Sequence, residues 1–191
     1  MKGSPLRRAG FVARFRPPHL GHAAILAALA RAAGTVVIGI GSANRRDADN
    51  PFTAEETAEL LAPLLPEGRS EIHLLPDLYD GPRWAEMVRE RFGEIDLFVT
   101  ANPYVRSLLD GRWRLAHPLE LLGPEERVAV DGKAVRRAMA RGEEWERLVP
   151  AVVAQALKAR GLMRRFRDEF GLETLARTAP PAAFPGDPSA E

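Results

Sequence analysis

The chain has 191 residues, 46% of them hydrophobic, which is enough for one globular domain with its own core. A net charge of +1 excludes a strongly basic nucleic-acid coat, and the absence of cysteine excludes disulfide staples. The sequence also has no apolar run long enough for a membrane span, so we expect a cytoplasmic protein with no nucleic-acid and no membrane partner.

Apolar runs and amphipathic stretches alternate along the first half of the chain. The strand candidates are AGFVARF, TVVIGIGSA, EIHLLP and DLFVTAN, and the helix candidates between them are HAAILAALARAA, TAEETAELLAPLL and RWAEMVRERF. The runs 36–40 and 97–99 are apolar throughout, as in parallel strands that helices cover on both faces. The sequence therefore predicts an α/β fold with a doubly wound, Rossmann-like parallel sheet.

The pattern becomes mostly helical after Pro103. Helix candidates lie at 103–110, 132–141, 145–159 and about 161–170, and Pro150 is expected to bend or restart the third of them. The last stretch, TAPPAAFPGDPSAE, is rich in proline and alanine and has no hydrophobic period. We expect one domain over 1–177 and a disordered tail over 178–191.

The stretch FRPPHLGH joins the first predicted strand to the first predicted helix. A helix that begins at the carboxyl end of a parallel strand offers backbone N–H groups and the positive end of its dipole to an anion. Two prolines stiffen this loop and Gly21 lacks a side chain, so His19 and His22 are expected over the helix entrance. The loop predicts a phosphate-binding site.

Two other interpretations of these histidines have to be weighed. His22 could pack against or cap the helix end without any chemical role. His19 and His22 could also bind zinc, because residues three apart share a helix face, but only His73 and His117 remain as further histidines and there is no cysteine. We therefore expect no metal ligands from the protein.

Phe15, Pro17, His19, Gly21 and His22 resemble the FxPxHxGH signature of the HIGH-motif nucleotidyltransferase superfamily. Further segments resemble the archaeal-type nicotinamide mononucleotide (NMN) adenylyltransferases in order and spacing, namely GIGSA, NPFTAEE, PDLYDGPRW, ANPYVR and EEWERLVPAVV. The resemblance implies a nucleotidyltransferase domain that transfers AMP from ATP to NMN, with NAD and pyrophosphate as products. It also implies Mg²⁺ accompanying ATP, and a homo-oligomer.

The resemblance implies catalytic roles for His19, His22 and Arg136 on the triphosphate of ATP. It places further ATP-binding groups at Arg14, Phe15, Gly21, Gly132 and Lys133. The attacking phosphate of NMN is already ionised at pH 7, so the reaction needs neither a general base nor a covalent intermediate. Catalysis would then consist of positioning and charge stabilisation.

On the acceptor side, the resemblance implies that Trp84 stacks on the pyridine ring and that Asn102 and Arg106 line the nucleotide site. A stacked aromatic side chain suits a flat, cationic ring. The alternative is that Trp84 belongs to an apolar stripe with Met87 and Val88 on the helix RWAEMVRERF.

The segment DGKAVRR departs from the family, which usually has hydroxyl side chains where this chain has Asp131 and Lys133. Asp131 is expected to cap the following helix. Lys133 could face the phosphates or could be a solvated residue at the helix start. Two further departures are Thr57, where the family has arginine, and Ala13, where it often has glycine.

Two alternative functions follow from these departures. The chain could be a nucleotidyltransferase with a different phosphate acceptor, or a catalytically silent nucleotide-binding module. The sequence does not distinguish nicotinamide from nicotinate mononucleotide as acceptor.

Overall fold

The computed structural model describes residues 6–178, so the tail predicted at 178–191 lies outside the described residues apart from Thr178. Strands and helices alternate first, as β1 (Leu6–Ala13), α1 (Leu20–Ala32), β2 (Ala33–Ile40), α2 (Ala54–Leu61), β3 (Ser70–Leu74), α3 (Gly81–Phe92), β4 (Leu97–Val99), α4 (Pro103–Leu109) and β5 (Leu115–Ala116). Three helices follow, α5 (Gly132–Arg141), α6 (Ala151–Ala159) and α7 (Leu162–Thr178). Short 3₁₀ turns lie at Ala62–Leu64, Pro118–Glu120, Pro124–Glu126 and Trp145–Leu148.

The strands form one parallel sheet in the order β3-β2-β1-β4-β5. The central strand β1 pairs with β2 from Leu6 opposite Ala33 to Ala13 opposite Ile40. Its other edge pairs with β4, so the direction in which the chain adds strands reverses at β1. The predicted α/β class with a doubly wound parallel sheet is confirmed.

Helices cover both faces of this sheet. The first face packs against α1 and α2 through Leu26, Leu29 and Leu61, and the second packs against α3 and α4 through Val88, Phe92 and Leu109. Neighbouring residues of β2 serve opposite faces, since Ile38 belongs to the first cluster and Val37 to the second. This explains why β2 is apolar without alternation.

The C-terminal helices build a further apolar cluster. It contains Val135 and Met139 of α5, Val153 of α6 and Phe166 of α7, and Phe52 beside α2 packs into it. The cluster therefore attaches the helical region to the sheet domain through the segment around α2. None of the helices in residues 6–178 has both the length and the apolar character needed to cross a bilayer.

Pro150 is the N-cap of α6, so the segment 145–159 is a 3₁₀ turn followed by a helix that restarts at the proline, as predicted. Two other details differ from the sequence-based elements. Strand β5 was not predicted, because two residues carry no period and the strand exists through its pairing with β4. Helix α7 continues past Gly171 to Thr178, well beyond the predicted end near residue 170.

Strand β2 requires glycine at position 39, where the side chains of Leu75 and Val12 pack closely against its backbone. A Cβ atom on Gly39 would lie 2.4 Å from Leu75 Cδ1 and 2.8 Å from Val12 Cγ2. Gly39→Ala is therefore expected to lower the free energy of unfolding by about 1–3 kcal/mol through overpacking. Urea denaturation at neutral pH measures this change.

Gly171→Ala is the matched control for that substitution. A Cβ atom on Gly171 would contact only Arg167 Cβ, at 3.9 Å, and alanine is favoured over glycine inside a helix by roughly 0.5–1 kcal/mol. The control is expected to raise the free energy of unfolding. Equal stability of the two variants would contradict the overpacking at Gly39.

Candidate active site

A cavity of about 880 Å³ opens at the carboxyl edge of the sheet. Its walls come from the ends of β1 and the loops that follow β2, β3 and β4, and from the segment 118–130. It lies where the strand order reverses, which is the usual ligand position in open α/β sheets. Its size is within the range of small-molecule sites.

His19 and His22 cap the beginning of α1 reciprocally. His19 Nδ1 accepts a hydrogen bond from the His22 backbone N–H, and His22 Nδ1 accepts one from the His19 backbone N–H, both at 3.4 Å. The two rings stack with their centroids 3.6 Å apart, and both line the cavity. The capping role weighed as an alternative is therefore present, and it leaves Nε2 of each ring outside the caps.

Both histidines are neutral at pH 7. Burial lowers the pKa of His19 to about 4, with Asp131 opposing the shift and Arg136 adding to it. Burial also holds the pKa of His22 well below its usual value, and His19 lowers it further. Because Nδ1 of each ring accepts a hydrogen bond, the proton of each neutral ring is assigned to Nε2.

Phe15 supports the histidines from below. Its ring is 1% exposed and its centroid lies 4.6 Å from that of His22. The residue has a φ of 55°, which is uncommon for an aromatic side chain. Phe15 is thus placed behind His22 and not in the cavity wall.

Two more non-glycine residues with positive φ lie at the same edge. Ser42 follows β2 with a φ of 53°, and Tyr79 follows β3 with a φ of 55°. Ser42 Oγ donates to Asp77 Oδ1 at 3.1 Å, and Arg45 donates to Tyr79 Oη at 2.7 Å. Such strained positions concentrate at functional sites. Sequence analysis missed these residues because their conformation depends on contacts between loops.

The other predicted ATP-binding groups at the cavity are Arg14 and Gly21. Arg14 is exposed and lines the cavity. A Cβ atom on Gly21 would lie 3.1 Å from the Val130 carbonyl oxygen, so the missing side chain allows the segment before α5 to approach α1. Val128 and Val130 of that segment also line the cavity, and no periodic pattern marked them in the sequence.

Arg136 lies beside the cavity and is not in its wall. Its residue exposure is 8%, and its guanidinium donates to the Arg16 carbonyl oxygen at 3.1 Å and to Asp49 Oδ1 at 2.7 Å. A Cβ atom on Gly132 would lie 3.1 Å from Arg136 Nη1, so glycine at that position makes room for the guanidinium. Burial lowers the pKa of Arg136, and Asp49 opposes that shift.

The start of α5 has the cap that the sequence predicted. Asp131 Oδ1 accepts a hydrogen bond from the Ala134 backbone N–H at 2.7 Å. Lys133 is exposed, and among residues 6–178 it has no hydrogen-bond or ion-pair partner. It is not part of the cavity wall, so both interpretations of Lys133 stay open.

The acceptor-side residues are divided by the structure. Trp84 and Asn102 line the cavity, whereas Arg106 lies exposed on α4 away from its wall. Trp84 is half-buried at the border of the apolar cluster formed by Ala85 and Val88, so it serves both the core and the cavity. Asn102 Oδ1 caps α4, which leaves its Nδ2 group for other partners.

Carboxylates flank this end of the cavity. Asp77 is held by Ser42 Oγ, and its backbone N–H donates to Asn44 Oδ1 at 2.8 Å. Asp80 caps α3 by accepting a hydrogen bond from the Arg83 backbone N–H at 3.0 Å. In the described part of the chain no three histidine, aspartate or glutamate side chains converge in a way that could hold a metal ion.

Comparison with known proteins finds relatives about one-third identical to this chain over most of its length. The Cytidylyltransferase-like family model matches residues 11–79. The nicotinamide-nucleotide adenylyltransferase of Archaeoglobus fulgidus is 32% identical over 174 residues, which cover 86% of this chain and 98% of the relative. The enzyme of the same name from Methanolobus tindarius is 33% identical over 155 residues, covering 80% of this chain and 88% of the relative.

Solved structures share the fold. A bifunctional NMN adenylyltransferase/ADP ribose pyrophosphatase from Francisella tularensis, complexed with AMP and a manganese ion, has a TM-score of 0.70 at 15% identity. The match covers 92% of this chain and 57% of that longer one. A putative nicotinate-nucleotide adenylyltransferase from Vibrio parahaemolyticus has a TM-score of 0.57 at 19% identity, over 86% of this chain and 97% of that chain.

The identity and coverage of the archaeal relatives, together with a cavity at the switch point that contains both histidines of the signature, identify the family. The chain belongs to the nicotinamide-nucleotide adenylyltransferases, which are nucleotidyltransferase enzymes of NAD biosynthesis.

Proposed function

We propose that this chain transfers the AMP moiety of ATP to NMN and releases NAD and pyrophosphate. The observation that carries the proposal is the single cavity of about 880 Å³ that reaches from His19 and His22 to Trp84 and Asn102. One end offers a helix N-terminus and ring N–H donors, and the other offers an aromatic face. A donor nucleotide and a pyridine nucleotide can therefore lie end to end.

The donor end suits a triphosphate. The dipole of α1 favours negative charge at its beginning, and Nε2–H of His19 and of His22 can donate to phosphate oxygens. Arg14 at the cavity and Arg136 beside it add positive charge. Neutral imidazoles act here as hydrogen-bond donors, and the arginines provide the full charges.

The reaction is a displacement at the α-phosphorus of ATP. A phosphate oxygen of NMN forms the new bond to that phosphorus, and the bond to the bridging oxygen of pyrophosphate breaks. No proton has to move, because the attacking phosphate is already an anion and pyrophosphate leaves as one. The protein therefore contributes alignment and stabilisation of the charge that develops on the phosphate oxygens.

The acceptor end suits a cationic pyridine ring. Trp84 offers an aromatic face for stacking, and Asp77 and Asp80 bring negative charge to the same end. The Nδ2 group of Asn102 is a neutral donor for a carbonyl or hydroxyl group of the acceptor. Arg106 keeps its predicted role only if α4 or the ligand brings it closer to the cavity.

We propose that Mg²⁺ arrives bound to the triphosphate. The described residues provide no cluster of metal ligands, so the phosphates of ATP would supply most of the coordination. When bound, the cation neutralises charge on the phosphates. The cytoplasmic location and the homo-oligomer expected from the sequence stay predictions.

The proposal is tested by incubating the protein with ATP, Mg²⁺ and a panel of phosphate acceptors. We expect pyrophosphate release that depends on NMN, with a product of the mass of NAD. A different product would support the alternative of another acceptor. ATP binding without any product would support the silent-module alternative.

The histidines are expected to act on the rate and not on acceptor binding. His22→Ala and His19→Asn should each lower kcat by roughly 100- to 1,000-fold, because each removes one preorganised donor to the phosphates, with little change in the KM for NMN. Asparagine at position 19 can still cap the helix, which separates catalysis from folding. Steady-state kinetics and thermal melting together measure both effects.

His117→Asn is the matched control, because His117 caps a 3₁₀ turn through Nδ1 outside the cavity wall. It should leave kcat unchanged. Near-parental kcat in both the His19 and His22 variants would exclude their proposed role at the phosphates.

The low pKa of His19 also predicts a loss of stability in acid. The folded protein keeps His19 neutral down to pH about 4, while an unfolded chain protonates it below its ordinary pKa of 6.5. The unfolded state binds more protons in this window, so stability falls as the pH drops from 6.5 towards 4, by roughly 3 kcal/mol as an upper limit.

The measurement is the free energy of unfolding of the parent and of His19→Asn across that pH range. The variant should show a shallower decrease, because it lacks one group that takes up a proton on unfolding. Parallel curves for the two proteins would show that His19 is not protonated on unfolding in this range.

A further inference from the structure

The guanidinium of Arg136 is fixed at two points inside the protein. It donates from Nη1 to the Arg16 carbonyl oxygen at 3.1 Å and from Nη2 to Asp49 Oδ1 at 2.7 Å. A guanidinium has five N–H donors. The described residues accept from two of them, so three N–H groups of Arg136 are left for a ligand. The partners come from two different loops, one after β1 and one after β2.

Asp49 is itself held between two arginines. While Oδ1 accepts from Arg136, Oδ2 accepts from Arg177 Nη1 of α7 at 3.0 Å. Arg177 Nη2 in turn lies 2.6 Å from Glu173 Oε1, one turn earlier on the same helix. A line of alternating charges thus runs from the surface of α7 to the buried Arg136.

The backbone around Asp49 is also fixed. Asp47 Oδ1 accepts hydrogen bonds from the backbone N–H of Asp49 at 3.0 Å and of Asn50 at 2.9 Å, and from Asn50 Nδ2 at 2.8 Å. The side chain of Arg16, 2% exposed, donates to the Arg45 carbonyl oxygen at 3.2 Å. Residues 45–50, the β2–α2 loop segment, are therefore held against the loop that precedes α1 by hydrogen bonds.

We propose that Asp49 is a positioning residue for adenylyl transfer, because it fixes the plane of the Arg136 guanidinium beside the phosphate end of the cavity. This inference rests on the proposed function, in which Arg136 contacts the triphosphate. An arginine that is free to rotate loses side-chain entropy when it is ordered, and a carboxylate that orders it in advance reduces that loss in the transition state. Asp49 also supplies the counter-charge that a buried guanidinium requires.

The test measures kcat and the KM values for ATP and NMN in Asp49→Ala and Asp49→Asn, each made in the parent and in Arg136→Ala. Asp49→Ala should lower kcat by roughly 10-fold, in the range found when a supporting partner of a functional group is removed. Asp49→Asn should retain more activity, since its amide oxygen can still accept from Arg136. In the Arg136→Ala background neither substitution should reduce kcat further, because the residue acts through Arg136.

Glu169→Ala is the matched control for Asp49→Ala. Glu169 of α7 forms an ion pair with Arg46, so this variant removes another link between the β2–α2 loop segment and α7 without touching Arg136. It should keep the parental kcat. A loss equal to that of Asp49→Ala would mean that the loop needs only a tether, and would overturn the assignment.

Three other results also overturn it. Asp49→Ala with parental kcat shows that Arg136 needs no such support. An equal loss of kcat with and without Arg136 shows a general structural effect. A lower KM for ATP with unchanged kcat shows that Asp49 competes with phosphate for Arg136. If the parent forms no NAD, the proposed function of the chain fails. If Arg136→Ala keeps full kcat, the proposed role of Arg136 fails. The kinetics of the parent and of Arg136→Ala therefore distinguish these failures from a failure of the role of Asp49 alone.

Discussion

The reciprocal capping of α1 by His19 and His22 is the interaction on which the site depends. Each ring uses Nδ1 to satisfy a backbone N–H at the helix beginning, and that bond fixes which nitrogen carries the proton. The same two contacts therefore begin the helix, stack the rings and leave Nε2 of each ring outside the caps. Phe15 beneath His22 and the missing side chain at Gly21 adapt the surrounding backbone to this arrangement.

Arginine is abundant along the chain, but surface arginines in ion pairs and buried arginines have different roles. Many arginines of residues 6–178 lie in exposed or half-exposed ion pairs, such as Arg164 with Asp168, which contribute little to stability. Arg16 and Arg136 are the arginines among the buried residues described, and the Arg136 guanidinium donates a hydrogen bond to the Arg16 carbonyl oxygen. The composition alone could not separate these classes, because burial depends on contacts between distant segments.

The sequence predicted the elements whose causes are local. Apolar runs located β1 to β4, Pro150 divided the third C-terminal helix segment, and Asp131 proved to be a helix cap. The two residues of β5 escaped prediction, since their strand conformation comes from pairing with β4. Helix α7 passes through Gly171 because its packing on α5 and α6 outweighs the low helix propensity of glycine.

The candidate site was predictable to a similar extent. Motif spacing singled out His19, His22 and Trp84, which line one cavity in the structure. It could not show that Phe15 lies behind His22 or that Arg106 lies away from the cavity wall. The contact between Asp49 and Arg136 joins residues 87 positions apart, and no local pattern announces it. Roles that depend on such contacts become visible only in three dimensions.

The glycines beneath α3 link the packing inside the sheet to the position of Trp84 in the cavity wall. Phe92, at the end of α3, would lie 2.9 Å from a Cβ atom on Gly10 and 3.1 Å from one on Gly39, while Trp84 lies two turns earlier on the same helix. A helix behaves as a nearly rigid rod, so the depth at which Phe92 is seated sets how far Trp84 projects into the cavity. Residues inside the sheet that never reach the cavity wall, such as Gly10, therefore help to set the shape of its aromatic end through α3.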